Sequence, residues 1–287
     1  GSYRDWYPTP VEGGAQQLER AWELSRIYHS VSWAAGTVYT RNELQLKLNI
    51  GKSFRMPHAK ELASNGLNYH MYRYEKGDST LKAEESYQLD LGLSISRKRW
   101  EIHLSPFANY FPNYIYLNPT ALYYEAQQVF YHRQSEVFRA GGELSALYRL
   151  TATLSASVDF EYIYSVQLSG EKKGYTLPFS PPANAVTALR YEQKRMGRLS
   201  NVYAAAEVQL TAAQNKIVPP EKKTPGYSLA HVRAGASFTI AGLPVHWQMQ
   251  LRNIFNTSYY DHTSFYRLIE VPGAGRNLTT SIKISFH

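Results

Sequence analysis

The sequence predicts an all-β chain that folds as an antiparallel transmembrane β-barrel, with about 11 to 12 strands present. Segments that alternate apolar and polar residues follow one another along most of the chain. The connections between them alternate between short and long. Aromatic residues make up 14% of the chain and tyrosine alone occurs 24 times. Tyrosine suits the boundary between lipid and headgroups, so its excess favours a barrel with two aromatic girdles.

The closing strand gives the clearest single signal for this fold. It runs from Leu278 to Phe286, and only His287 follows it. Its even-numbered residues are apolar or threonine, whereas its odd-numbered residues are threonine, serine and lysine. In an outer-membrane barrel the apolar face of such a strand meets lipid and the polar face meets the lumen. The terminal aromatic is then expected at the membrane interface.

Ten further segments are predicted to be strands. Residues 43–50 and 87–95 alternate most cleanly, with leucine or isoleucine at nearly every second position. Several candidates exceed ten residues, the length that a tilted membrane crossing needs. An odd total of about eleven leaves two edges unpaired, so we expect a missed strand or strands supplied from outside this sequence. The looser candidates are 26–40, 99–117, 136–150, 152–168, 184–194, 199–214, 227–240 and 244–257.

The predicted connections are of two kinds, short and long, which alternate along the chain. Short turns on one side and long loops on the other are typical of outer-membrane barrels, in which the short turns are periplasmic. The predicted short turns are 40–42, 97–99, 150–152, 195–198 and 241–244. The predicted long loops are about 55–85, 117–135, 169–183, 215–226 and 258–277.

Composition excludes several classes of protein. No run of 18 or more apolar residues is available for a transmembrane helix, and the mean hydropathy is −0.43. The absence of cysteine excludes thiolate metal sites, thiol catalysis and disulfides. The net charge of +8 is scattered along the chain without a basic stripe, so nucleic-acid binding is not predicted.

The chain opens Gly1-Ser2-Tyr3, without an initiating methionine or an apolar leader. A Gly-Ser pair is typical of a cloning remnant. We therefore expect a piece of a longer protein. In this interpretation, residues 1–25 are a partial extracellular loop segment and residues 26–287 are the C-terminal portion of a barrel.

Three stretches carry recognisable motifs in a fixed order. Residues 50–62 contain Phe-Arg-Met-Pro followed by Glu-Leu, and residues 74–86 contain Leu-Lys-Ala-Glu-Glu-Ser. Residues 251–262 contain Asn-Ile-Phe-Asn and two tyrosines, and residues 272–278 contain Pro-Gly-Ala-Gly-Arg before the closing strand. Together they resemble the C-terminal half of the TonB-dependent outer-membrane receptor family. The chain departs from the family pattern at residues 78–80, where Asp-Ser-Thr replaces Asn-Pro-Asn, and at the terminal histidine.

The resemblance implies a 22-stranded barrel filled by a plug domain, of which this chain supplies about the C-terminal half. The plug domain is expected to be absent from this sequence. Such receptors lie in the bacterial outer membrane with a periplasmic C-terminus. They bind scarce ligands such as siderophores, haem, cobalamin or metals in their outer loops, and the TonB complex drives uptake through the plug. No intrinsic cofactor is expected; the transported ligand would be haem, zinc or a ferric chelate.

The segment 55–85 is the richest of the predicted loops. Residues 57–64 predict one short helix that stops at Asn65-Gly66. The stretch 68–72 that follows reads Asn-Tyr-His-Met-Tyr and offers imidazole, phenol and thioether groups. Neutral imidazole ligates zinc or haem iron, and haem iron also accepts Tyr or Met as an axial ligand.

The resemblance points to the same segment. In haem and zinc receptors of the family a ligand histidine lies between the first two motifs, and His70 matches that position best, with His58 second. Tyr69 and Tyr72 lie beside His70 and are candidate ligand contacts. A loop histidine is also commonly an ordinary polar residue, so these remain candidates. Two further outer-loop histidines, His262 and His132, complete the set.

An enzyme is not predicted, because the chain lacks a Gly-x-Ser-x-Gly, a His-Glu-x-x-His and a phosphate-binding glycine loop. His103 and Ser105 have the strand parity of a barrel phospholipase but no third group. Two other functions stay open. One is a self-contained barrel acting as a passive pore or barrel enzyme, and the other is a soluble, tyrosine-rich carbohydrate-binding protein.

Overall fold

The computed structural model describes residues 6–9, 16–19 and 26–285. Helices in this part of the chain are short, and none is long and apolar enough to cross a membrane. The helix α1 covers Ala59–Ala63, and 3-10 turns cover Tyr69–Met71 and Phe265–Ile269. The strands are β1 (Trp6–Thr9), β2 (Gln16–Glu19), β3 (Trp33–Arg41), β4 (Leu44–Arg55), β5 (Asn65–Asn68), β6 (Arg73–Lys76), β7 (Glu84–Ser96), β8 (Trp100–Tyr124), β9 (Gln127–Arg149), β10 (Leu154–Gln167), β11 (Asn184–Met196), β12 (Leu199–Thr211), β13 (Tyr227–Ile240), β14 (Leu243–Arg252) and β15 (Asn277–Ile284).

Eleven of these strands form one continuous antiparallel path. Its order is β3-β4-β7-β8-β9-β10-β11-β12-β13-β14-β15, so each strand pairs with its neighbours along the chain. The predicted number of strands and their antiparallel pairing are confirmed. The short strand β6 pairs with β5 and, in parallel, with β9, whereas β1 and β2 form a separate hairpin. Among the described residues, β3 and β15 are each paired on one side only.

The five predicted short turns all lie at one end of the sheet, which we call the turn end. The residues that reverse the chain there adopt positive φ, as in Asn42 (52°), Gly197 (60°) and Gly242 (82°). The opposite end carries α1, β5, β6 and the long connections, and we call it the loop end. The sorting of connections by length that the sequence predicts is therefore present at four of the five loop-end connections, and the β8–β9 connection is the exception.

One predicted loop is wrong. Residues 117–135 are not a loop, because β8 and β9 run on for 25 and 23 residues and meet in a two-residue turn at Glu125-Ala126. β8 contains three prolines, Pro106, Pro112 and Pro119. The structure accommodates the last two by register shifts between Phe111 and Tyr114 and between Pro119 and Tyr123. Such bulges allow a strand to continue past a proline.

One face of the sheet is apolar across all eleven strands. Cross-strand partners lie on the same face, and the register places Leu48 opposite Leu91 and Leu104 opposite Leu144. Solvent-exposed leucines, isoleucines and aromatics on this face are what strands facing lipid present. They include Leu46, Leu48, Ile50, Leu89, Leu91, Leu104, Phe160, Leu189, Val208, Leu278, Ile282 and Ile284. Phe286 and His287 lie outside the described residues.

The opposite face is polar and lines the inner side of the sheet. His103 and Ser94 are cross-strand partners whose side chains lie 3.0 Å apart. Arg233 pairs with Glu207 on the next strand. The alternation predicted for the strands therefore divides the sheet into two chemically distinct faces. Other members of the polar face are Asp90, Arg139, Glu143, Glu161, Arg190, His246, Gln248 and Lys283.

Aromatic residues border the apolar face at both ends. On β8, Trp100 and Tyr110 are ten residues apart, a span of roughly 33 Å along the strand at 3.3 Å per residue. With the usual strand tilt this corresponds to a band of about 25 Å, the thickness typical of outer-membrane barrels. Arg97 lies over the Trp100 ring at the turn end, and Lys52 lies over Tyr87 at the loop end.

The packed core lies at the loop end rather than along the sheet. Phe111, Tyr116, Val137 and Leu177 form its centre. Leu177 belongs to the connection between β10 and β11, which folds inward over the polar face. Below it the hydroxyls of Ser165, Thr176 and Ser180 form a buried triangle with separations of 2.8–3.1 Å. The loops are therefore packed against one another and against the top of the sheet.

The inner face offers a direct test of this register. Gly235 lies under the Tyr203 ring, and a Cβ atom there would lie 2.5 Å from a carbon of that ring. We expect Gly235→Ala to destabilise the folded full-length receptor by about 1–3 kcal/mol, because the ring must move. The measurement is the urea midpoint of heat-modifiable gel mobility. Gly92→Ala is the control, since its Cβ would meet only the flexible Lys47 side chain; equal losses in both variants would contradict the register.

Candidate functional site

The first two sequence motifs contact each other at the loop end. Arg55, from Phe-Arg-Met-Pro, donates to Glu61 at 2.8 Å and forms two bonds with Glu84 at 3.0 and 3.1 Å. Glu84, from the second motif, also accepts from the backbone N–H of Ile115 at 2.6 Å. The motif residues thus fasten α1 and the start of β7 to the β8–β9 hairpin. Their role here is structural.

The third motif closes on the glycine-rich segment before β15. Asn253 donates to the carbonyls of Thr257 and Ala274, and Asn256 accepts from the backbone N–H of Arg276. A Cβ at Gly273 would collide with the Tyr259 ring, so glycine is required there. The two asparagines and the glycine therefore shape the last loop.

A buried carboxylate anchors the segment between α1 and β6. Glu75 is 1% exposed and accepts from Arg73 at 2.7 Å and Asn68 at 2.9 Å, and its other oxygen lies 2.6 Å from Lys60 Nζ. Burial alone would raise the pKa of Glu75, but the bonds from Lys60 and Arg73 outweigh it and hold the pKa below its usual value. The carboxylate is therefore ionised at neutral pH.

His132 lies at the edge of this ion cluster. It is buried, its Nε2 is 4.0 Å from Glu75, and that nitrogen has no hydrogen-bond partner among the described residues. Burial lowers the pKa of His132, although Glu75 opposes the effect. His132 is neutral at pH 7 and lies within the packed loop core rather than on the surface.

Two arginines and two phenylalanines join the loops into one unit, which we call the arginine–phenylalanine stack. Phe130 and Phe179 stack with ring centroids 6.1 Å apart. Arg73 lies over Phe130 at 5.4 Å, and Arg267 lies over Phe179 at 5.6 Å. These four residues come from β6, β9, the β10–β11 connection and the last loop. Desolvated contacts of this kind contribute about 2 kcal/mol each.

The stack ends on a second buried carboxylate. Glu221, in the β12–β13 connection, accepts from Arg267 at 3.3 Å and from the backbone N–H of Phe179 at 3.0 Å and of Val218 at 3.2 Å. Burial raises the pKa of Glu221, and these donors act against it. The β12–β13 connection is thereby joined to the same unit.

His262 is held beneath the last loop. It is 2% exposed, its Nδ1 lies 2.9 Å from Thr224 Oγ1, and its Nε2 has no hydrogen-bond partner among the described residues. Burial, with Arg267 beside it, lowers the pKa of His262 to about 4. It is therefore neutral under physiological conditions.

The predicted site residues separate into two groups. His58, Tyr69 and His70 are exposed at the loop end, whereas His132 and His262 are buried. The backbone N–H of His58 donates to Glu61, which places it at the start of α1. Within residues 26–285, no three His, Asp or Glu side chains are grouped closely enough to hold a metal ion.

An aromatic cluster lies beside the exposed pair Tyr69 and His70. Tyr72 is 6.3 Å from Phe265 and 6.1 Å from Tyr266, and the last two rings are 4.7 Å apart. We call Tyr72, Phe265 and Tyr266 the aromatic cluster. Sequence reasoning found Tyr72 but missed its two partners, which belong to a distant loop. No spacing in the sequence links these loops.

The polar face below the last loop borders a half-open cavity of about 430 Å³. It has charged and hydrogen-bonding walls, and its roof is the loop shaped by Asn253 and Tyr259. His231 accepts from the backbone N–H of Asn253 at 3.1 Å, which fixes its ring. A polar space therefore continues from the loops into the inner side of the sheet. Its other lining residues include Glu207, Gln209, Gln250, Arg252 and Asn277.

Solved structures with the same fold are transporters and receptors. The copper transporter OprC matches 87% of this chain and 38% of its own, with a TM-score of 0.69 and 18% identity. The ferric-catecholate import receptor Fiu from Escherichia coli K12 matches 99% and 40%, with a TM-score of 0.66 and 14% identity. BauA, the ferric preacinetobactin receptor from Acinetobacter baumannii, matches 95% and 38%, with 0.64 and 15%. The chain spans about two fifths of the length of these proteins.

At these low sequence identities the solved structures show only that the fold is shared. A family model shows the family to which the chain belongs. The model described as TonB dependent receptor-like, beta-barrel matches residues 3–256, which is most of the chain. The match includes the two motifs that meet at Arg55 and ten of the eleven strands on the sheet path, all but β15. The chain therefore belongs to the TonB-dependent receptor family, as part of its β-barrel domain.

Proposed function

We propose that this chain is the C-terminal part of the barrel of an active-transport receptor that captures a scarce metal-bearing nutrient, namely haem, a metal or a metal chelate. The family resides in the bacterial outer membrane. The observation that carries the proposal is the aromatic cluster, with Tyr69 and His70 exposed in the turn that leads to Tyr72, on loops joined by the arginine–phenylalanine stack. TonB would drive uptake through a plug domain in another part of the protein.

The proposed orientation follows from the two ends of the sheet. The loop end carries the candidate binding residues and faces the medium, whereas the turn end and the C-terminus face the periplasm. The described sheet is open between β3 and β15. In the proposed receptor, further strands outside this sequence complete the barrel and the plug fills it.

The residue types favour a planar or metal-bearing cargo. Three clustered rings offer faces for stacking, and an exposed imidazole offers a nitrogen for iron or zinc. His70 is the proposed metal ligand, with Tyr69 and Tyr72 as contacts. His58, His132 and His262 remain secondary, because the first begins α1 and the other two are buried. OprC, a copper transporter, and Fiu and BauA, receptors for ferric ligands, have the same fold and support the same cargo class.

Ligand titration of the purified full-length receptor tests the site. We expect His70→Ala to weaken the affinity for haem or for zinc about tenfold, because a coordinating nitrogen is lost, and Tyr266→Ala to weaken haem binding by a similar factor. Tyr175→Ala is the matched control, an exposed loop tyrosine outside the aromatic cluster. Unchanged affinity of the His70 variant for both ligands would remove His70 from the site.

The rigidity of the loops can be tested at the Arg267–Glu221 pair. Arg267→Met leaves Glu221 buried without a cationic partner. We expect the free energy of local opening of these loops to fall by about 3–5 kcal/mol. Hydrogen exchange of residues 215–226 and 258–277 measures it. The double variant Arg267→Met/Glu221→Gln removes both charges and should recover much of the loss. If the single variant exchanges like wild type, the pair does not fasten these loops.

Acidification should loosen the last loop. The pKa of His262 is 6.5 in an exposed state and about 4 when buried, so the opened loop binds more protons between these values. The contribution of neutral His262 to the stability of the loop is therefore fully present above about pH 6.5. It falls as the pH drops toward 4, by roughly 3 kcal/mol in total. Hydrogen exchange of residues 258–277, corrected for intrinsic rates, follows it.

A variant that lacks His262 separates this effect from general acid sensitivity. His262→Asn keeps a short polar group near Thr224 and cannot take up the proton, so the slope between pH 6.5 and about 4.5 should largely vanish. His70→Asn, at an exposed position, should keep the wild-type slope. The same slope in all three proteins would assign the effect to other groups.

A further inference from the structure

Three lysines lie on two neighbouring connections at the loop end, and one of them contacts the outer face of the sheet. Lys216 Nζ is 5.0 Å from the centre of the Tyr164 ring. Tyr164 and Tyr162 are half-exposed on the apolar face of β10, two positions apart. Lys216 therefore caps an interface tyrosine from the loop side of the apolar band.

Two further lysines lie on the connection that contacts the segment of Lys216. Lys172 Nζ donates to the carbonyl of Pro219 at 2.8 Å, which brings the turn after β10 against the segment that carries Lys216. Lys173, the next residue, is exposed. Within residues 26–285, no carboxylate lies within 4.0 Å of these three ammonium groups. We call Lys172, Lys173 and Lys216 the lysine cluster.

On a neighbouring part of the outer face, another lysine that lies over a tyrosine is neutralised by a carboxylate. Lys52 lies over Tyr87 in the same way, but Glu85 accepts from it at 3.0 Å. Tyr110, beside Tyr87, donates its hydroxyl to Glu136. Charge on that part of the interface is therefore balanced within the protein, whereas no carboxylate of the described residues pairs with the lysine cluster.

We propose that the lysine cluster binds the phosphate groups of an anionic lipid headgroup in the membrane leaflet at the loop end. The tyrosines place the site at the boundary between acyl chains and headgroups, where their rings are favoured. A basic cluster at that depth attracts anionic headgroups by about 1 kcal/mol per charge. Lys216 lies against Tyr164 on the outer face, opposite the polar face that carries the cavity, so this contact is separate from the proposed nutrient site.

Native mass spectrometry of the full-length receptor in detergent tests the assignment. The probe is bisphosphorylated lipid A, compared with the same lipid after removal of both phosphates. We expect Lys172→Gln/Lys173→Gln/Lys216→Gln to lower the affinity for the phosphorylated lipid by about ten- to a hundredfold. The dephosphorylated lipid should bind wild type and variant equally weakly. Lys216→Gln alone should give an intermediate loss.

The matched control removes three charges at the turn end, as Lys98→Gln/Arg99→Gln/Arg198→Gln. It should bind the phosphorylated lipid like wild type. Equal losses in both triple variants, or equal binding of the two lipids by wild type, would overturn the proposal. Displacement of the lipid by inorganic phosphate at the same phosphate concentration would assign the cluster to a free anion and would overturn it too.

Discussion

The whole structure depends on the pairing of backbone groups between strands that must face lipid on one side. Each strand on the path finds its hydrogen-bond partners in its neighbours along the chain, because unpaired backbone groups are not tolerated in hydrocarbon. With the backbone satisfied in this way, side chains must divide between an apolar outer face and a polar inner face. Little is then left to form a core within the sheet. Apolar packing moves to the loop end, where Val137 and Phe130 are almost completely buried.

The local periodicity of the sequence was sufficient to predict this sheet. Segments such as 43–50 and 87–95 alternate strictly because each face of the sheet has one environment, and this alternation predicted an antiparallel sheet of about eleven strands. The extension of β8 past Pro119 could not be predicted, because whether a proline ends a strand or sits in a bulge depends on the partner strand. The contacts of Phe130 with Phe179 and of Tyr72 with Tyr266 join segments far apart in the chain. No period or spacing encodes such contacts, and the burial of His132 and His262 depends on them.

The motif residues that relate this chain to its family hold the loops in place. They are not the candidate binding residues themselves. Arg55, Glu61 and Glu84 form one ionic joint, and Asn253 and Asn256 hold the last loop in place. These residues carry no free ligand-binding group. The exposed groups beside the aromatic cluster lie between the motifs, in segments with no recognisable pattern. This division explains why the family can be identified from the sequence while the cargo can only be proposed.

The arginine–phenylalanine stack has a consequence for the kinetics of capture. Four segments from β6, β9, the β10–β11 connection and the last loop meet in it, and a fifth is attached through Glu221. In the proposed receptor, capture by loops joined in this way does not wait for their rearrangement, and the association rate can then approach the limit set by diffusion. Differences in affinity among related small molecules would appear in their residence times. The joined loops also transmit a displacement of one loop to the others, so release would involve several loops together.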